Sequence, residues 1–149
     1  RDSSDSYQLL FTSRLYEFLY HLCRSYSHQI PSASLTGSQR DLQRVTHVMN
    51  WVKVHYPEPL SLETAADSLA LSKEYFCRLF KKYTGQTFLE YLNDVRTMHL
   101  YEDLQNSDET ITVLMEKNGL SNYKIFMRTF KKLYGSTPQK MRSNRIRHV

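Results

Sequence analysis

A chain of 149 residues, 40% hydrophobic with only four glycines and four prolines, can bury one respectable core or two small ones and reads as ordered and mainly helical. No apolar run approaches the roughly 18 residues of a membrane span, and no signal peptide heads the sequence. The net charge of +5 is unevenly placed: residues 1–71 hold six Lys/Arg against seven Asp/Glu, whereas residues 72–149 hold fourteen against eight. A basic face on a small helical domain points first to nucleic acid, whose phosphates bind Lys and Arg with release of counterions. Cys23 and Cys77 stand far apart without metal-ligand spacing, as expected of reduced thiols in a cytoplasmic protein. The first residue is Arg1, not Met, so the sequence is expected to be part of a longer one.

Taken in order, residues 1–6 are polar, and Tyr7–Tyr26 then carries Leu10, Phe11, Leu15, Phe18, Leu19 and Leu22 at helical spacing. Such an amphipathic helix either docks on the domain that follows or pairs with a second copy of itself. Gln29–Ser38 is a Pro/Ser/Gly linker and the best domain boundary. Ser38 or Gln39 opens a helix with Leu42, Val45, Val48, Met49 and Val52 that runs to His55, and Tyr-Pro-Glu-Pro ends it. Ser61 is expected to cap a short helix, Leu62–Leu69, whose Ala65 and Ala66 suit a close helix crossing. Ala70-Leu71 is the turn and Ser72 caps the next helix, a helix-turn-helix arrangement. Thr87–Leu104 follows as one long helix, with Thr87 and Glu90 as a capping box and Phe88, Leu89, Leu92, Val95 and Leu100 as its apolar face. Thr110–Asn118, a turn at Gly119-Leu120, and Ser121–Tyr134 repeat the earlier pattern; Thr137-Pro138 opens a last short helix, and Lys140–Val149 is a basic tail expected to fray.

The repetition is explicit. Aligned on Phe76 and Phe126, FCRLFKKYTGQT and FMRTFKKLYGST agree at seven of twelve positions. The apolar positions, Phe76, Leu79, Phe80 and Tyr83, then Phe126, Phe130 and Leu133, put one stripe on each helix. The opposite face is left to Arg78, Lys81 and Lys82, or to Arg128, Lys131 and Lys132. A solvated charged face is the ordinary reading of one such helix, and its repetition makes that reading weaker.

SLETAADSLALSKEYFCRLFKKYTGQTFLEYLNDVR followed by TITVLMEKNGLSNYKIFMRTFKKLYGSTPQKMR resembles the DNA-binding domain of AraC/XylS-type bacterial transcription regulators, over about residues 42–142. The resemblance implies an all-α fold of two helix-turn-helix units joined by a long linker helix, placing recognition helices in successive major-groove segments. It implies a division into an amphipathic dimerisation or linker segment at 1–38, a DNA-binding domain at 39–142 and a basic tail at 143–149. A homodimer through Tyr7–Tyr26, contact with RNA polymerase, and a small-molecule effector on an N-terminal domain outside these residues belong to the same implication. The first recognition helix then offers Lys73, Glu74, Cys77, Arg78 and Lys81 to the groove, with Ser72 at its head, and the second offers Asn122, Tyr123, Lys124, Met127 and Arg128, with Ser121 at its head. Arg78 and Arg128 suit bidentate reading of guanine, and Lys82, Lys131 and Lys132 suit phosphates. Tyr75 and Ile125 are expected to pack. The sequence departs from the family pattern at Leu100, Met115, Asn118 and Leu120, where larger or polar groups at a tight crossing cost stability unless neighbours repack.

The leading expectation is a sequence-specific, DNA-binding regulator of bacterial promoters acting as an activator. The alternative is a protein-interaction module on the same fold that binds polymerase or another regulator without reading bases. An enzyme is the weakest reading: no phosphate loop, nucleophile elbow or HExxH occurs, and the six histidines lack metal or triad spacing, so no cofactor or metal is expected.

Overall fold

The structure, a computed structural model, describes residues 37–146. The expected helix Tyr7–Tyr26, most of the Gln29–Ser38 linker and the end of the basic tail lie outside the described residues. Among the described residues seven helices follow one another: α1 (Gly37–His55), α2 (Leu62–Asp67), α3 (Lys73–Thr84), α4 (Phe88–Asn106), α5 (Ile111–Lys117), α6 (Tyr123–Tyr134) and α7 (Pro138–Ile146). No strand occurs among the described residues, so the architecture is the expected all-α pair of helix-turn-helix units, α2–α3 and α5–α6, on either side of the long helix α4.

Local chemistry accounts for the boundaries. Ser61, Ser72, Thr87, Thr110 and Asn122 each turn a side-chain oxygen onto the backbone N–H three residues on, satisfying a donor that the first turn leaves unpaired. At the head of α4 the box is reciprocal: the Thr87 N–H donates to Glu90 at 2.8 Å, and the bond holds the Glu90 carboxyl below its ordinary range. The partner of Ser61 in the same kind of box is Thr64. Gly85 and Gly135 end α3 and α6 in the left-handed conformation. Boundaries differ from the sequence reading at several ends: α1 already starts at Gly37, and α5 is Ile111–Lys117, with Thr110 and Asn118 as its caps. Helix α2 stops at Asp67, two residues short of Leu69, and α4 runs two residues past Leu104. Helix α6 begins only at Tyr123, because Asn122, not Ser121, supplies the cap. The last helix continues to Ile146, well into the stretch expected to fray.

Two separate apolar cores result. One gathers Val45, Val48 and Val52 of α1, Ala65 and Ala66 of α2, Phe76, Leu79 and Phe80 of α3, and Phe88, Tyr91, Leu92 and Val95 of α4. The other gathers Leu100 and Leu104 of α4, Leu114 and Met115 of α5, Leu120, and Phe126 and Phe130 of α6. At 3.6 residues per turn, the two groups on α4 point to directions about 150° apart, so this helix is one wall of each core. The single apolar face expected for it is therefore divided, and Leu89, counted in that face, is exposed. Leu42 and Leu133 are also exposed; Tyr134 packs in place of Leu133, stacking on Tyr101 at 4.2 Å between ring centroids.

The departures in the second unit are accommodated. Leu100, Met115 and Leu120 are buried in its core. Asn118 is 1% exposed, yet its amide donates to Asp103 at 2.8 Å and to the Leu114 carbonyl at 2.9 Å. Its polar group is thus satisfied across the crossing of α4 with α5. Asn118→Ala, which strands the Asp103 contact and empties the site, should cost about 1–3 kcal/mol in urea unfolding. The turn of the first unit carries a different tension: Ala70 has φ +52°, where the second unit has Gly119 at φ +71°. An L-residue with a β-carbon loses roughly 1–2 kcal/mol there, partly offset by the greater freedom of glycine when unfolded. Ala70→Gly should therefore raise stability by about 0.5–1 kcal/mol, read as a higher urea midpoint at unchanged slope.

Candidate nucleic-acid interface

Burying Phe76, Leu79 and Phe80 decides which side of α3 faces outward. Glu74, Cys77, Arg78, Lys81 and Lys82 are exposed on it, and Lys82 lies over the Tyr83 ring at 5.3 Å. Burying Phe126, Thr129 and Phe130 does the same for α6, exposing Tyr123, Lys124, Arg128, Lys131 and Lys132. Steps of four and three residues line up Glu74, Arg78 and Lys81 on α3, and Lys124, Arg128 and Lys131 on α6. The stripes correspond position by position except at the head, where an acid stands in one and a base in the other. The second stripe therefore exerts the stronger pull on an anion.

Several expected contact residues already have partners. Lys73 donates to Glu63 of α2; that hydrogen bond holds the Glu63 carboxyl below its usual range and the Lys73 ammonium above its own, so both stay charged at neutral pH. Lys132 reaches back to Asp94 of α4 at 3.1 Å. Ser72 and Asn122 use their side chains as caps, and Ser121 lies in the turn ahead of α6. Met127 is half-buried against the second core, whereas its counterpart Cys77 is exposed and free. Tyr75 is 38% exposed, with its hydroxyl donating to Asp41 of α1 at 3.4 Å, and Ile125 is half-buried.

A third basic residue went unnoticed in the sequence. Arg96, the lone Lys or Arg of α4, donates from Nε to the Tyr56 carbonyl at 2.7 Å and from Nη2 to the Glu58 carbonyl at 2.6 Å. Partial burial lowers its pKa from the ordinary arginine value. Nothing in its neighbours marks it as a tether; a solitary cation in a helix walled by apolar residues was the one available signal. Among the described residues no helix is long and apolar enough to cross a membrane, and no three His, Cys, Asp or Glu side chains converge as a metal site.

Residues 65–144 match the family described as helix-turn-helix domain. The HTH-type transcriptional activator RhaS of Escherichia fergusonii is 31% identical over 111 residues, 74% of this chain and 40% of its own length. An uncharacterised HTH-type transcriptional regulator of Staphylococcus aureus (strain MSSA476) is 33% identical over 102 residues, 68% of this chain and 14% of its own. The chain thus spans well under half the length of these curated relatives. The DNA-binding domain of AdpA, a global transcriptional factor crystallised with a target DNA, superposes with a TM-score of 0.61 at 25% identity, covering 68% of this chain and 91% of that one. With the two helix-turn-helix units, the shared linker helix and the family match in agreement, the chain belongs to the AraC/XylS-type family of helix-turn-helix transcription regulators.

Proposed function

We propose that this chain binds double-stranded DNA sequence-specifically and regulates transcription from bacterial promoters, with α3 and α6 entering successive major-groove segments. The observation that carries this reading is the exposure of Arg78 and Arg128 at one register of two repeated helices, each buried on its other side. An arginine so placed can bond two acceptors of one guanine, while Lys82, Lys131 and Lys132 are read as phosphate contacts, which position a domain without reading sequence. The DNA complex of AdpA and the activator RhaS support the same reading from outside the chain. Activation through contact with RNA polymerase, dimerisation through Tyr7–Tyr26, control by an effector on a preceding domain and a cytoplasmic, nucleoid-associated location extend the proposal. A rival interaction module would have no need of Arg78 and Arg128 exposed at matching positions, and the departures at Met115 and Asn118 pack within the second unit.

Arg78→Ala and Arg128→Ala should each cost about 1–3 kcal/mol of specific binding and relax preference at one base pair apiece. Binding-site selection on each variant reads this directly; unchanged selectivity in both would remove the base-reading role.

Glu63→Gln should act in the opposite direction. Releasing Lys73 adds one cation to the face of α3, so non-specific affinity should rise and the dependence of log K on log salt should steepen by about one unit. A slope equal to that of the parent would place Lys73 off the DNA.

A further inference from the structure

We propose that Arg96, together with Gly119, is a positioning device that locks the two helix-turn-helix units into one mutual orientation and so makes the chain discriminate DNA sites by the spacing of their halves. The part concerning DNA rests on the function proposed above; the part concerning orientation does not.

The two cores share no residue, and both are built on α4. Along that helix the first core ends at Val95 and the second begins at Leu100, which leaves residues 96–99 as the joint. Recognition helices serving successive major-groove segments sit about 34 Å apart, so a 10° bend at a joint midway between them would move one of them by about 3 Å. That is comparable to the roughly 3.4 Å rise of a base pair. A bare helix would therefore read spacing poorly.

The joint is not bare. Arg96 and His99, one turn apart, both hold the loop that follows α1. The guanidinium bonds the Tyr56 and Glu58 carbonyls at 2.7 and 2.6 Å, and the His99 ring stacks on the Tyr56 ring at 4.0 Å with 6° between planes. A planar fork suits two fixed carbonyls, which a lysine could not engage in the same way. The turn of the second unit closes on the same loop from the other side: a β-carbon on Gly119 would stand 2.6 Å from the Pro57 carbonyl oxygen and 3.1 Å from Arg96 Nε. Glycine is thus required at 119 by close approach as well as by its φ. The loop of the first unit thus meets both the linker helix and the turn of the second: charged hydrogen bonds fix it to Arg96, and the close approach of Gly119 leaves the second unit no room to swing toward it.

The test uses the full 149-residue chain with Cys23→Ser and Cys77→Ser, and nitroxides at Asn50→Cys on α1 and Gln139→Cys on α7, both exposed positions. Electron–electron distance distributions without DNA should be narrow in this parent and broad in Arg96→Lys and Gly119→Ala. In parallel, the unlabelled chain with Cys23 and Cys77 intact should prefer its selected site over the same site with one base pair inserted between the halves by a factor in the range of about 5–150. In the variants that ratio should fall toward one, with affinity for an isolated half-site kept. Narrow distances and an unchanged ratio in variants with parental helix content overturn the proposal. If Arg96→Lys and Gly119→Ala fail to fold, His99→Ala, which removes the ring on Tyr56 and an exposed contact to Glu102, must broaden the distances; a narrow distribution there also overturns it. An unlabelled chain, with both cysteines intact, that binds no DNA would sink the functional reading, while the distance measurement would still decide the lock.

Discussion

Everything in this domain hangs on α4 being packed from two sides. A helix of 19 residues, about 28 Å long, gives its first half to one core and its second half to another. Each helix-turn-helix unit is too small to close a core alone: α2 has six residues and α5 seven, and neither could stand as a helix in water. What makes them stable is a shared apolar wall, with Phe88 meeting both Phe76 and Phe80 edge-on in the first unit and Tyr101 meeting Phe130 and Tyr134 in the second. The same economy that stabilises the units also leaves them joined through one helix and the close approach of Gly119 to Pro57, which is why contacts at residues 96–99 matter beyond their own energy.

Burial in these cores also determines which charges reach solvent. Once Phe76, Leu79 and Phe80 turn inward on α3, and Phe126 and Phe130 on α6, the basic side chains have one direction left. Carboxylates on neighbouring helices then sort them. Glu63 occupies Lys73 and Asp94 occupies Lys132, whereas Arg78, Lys81, Arg128 and Lys131 carry no ion pair within the described residues. Exposed pairs of this kind add little to stability, a few tenths of a kcal/mol to about 1. Their effect is on the field: they offset the charge of Lys73 at the head of α3 and of Lys132 near the end of α6, while Lys124 in place of Glu74 makes the α6 stripe more basic than that of α3.

The second unit shows how a polar residue can occupy an apolar crossing. Asn118 sits 1% exposed where the first unit has half-buried Leu69, and the cost of burying its amide is met by one carboxylate and one carbonyl. Asp103, a residue of α4, becomes part of the α5 junction. A polar pair of this sort specifies geometry more sharply than leucine would, because it is satisfied at one separation only.

By itself the sequence determined the elements and their repetition. Threefold and fourfold apolar spacing, Ser or Thr ahead of each short helix, and glycine after each recognition helix are local signals, and local hydrogen bonding and sterics enforce them. The all-α class, the two turns, the capping box at Thr87 and the outward basic faces were legible for that reason. What only tertiary structure decided depended on partners far along the chain. Whether Ser121 or Asn122 caps α6, whether Leu133 or Tyr134 enters the core, and which half of α4 faces which unit are settled by packing across dozens of residues. The same holds for Asn118 finding Asp103 and for Arg96 finding two carbonyls about forty residues earlier. Periodicity reports which face of a helix is apolar, but the partner of a polar side chain is a matter of where the chain returns in space, and no local pattern encodes that.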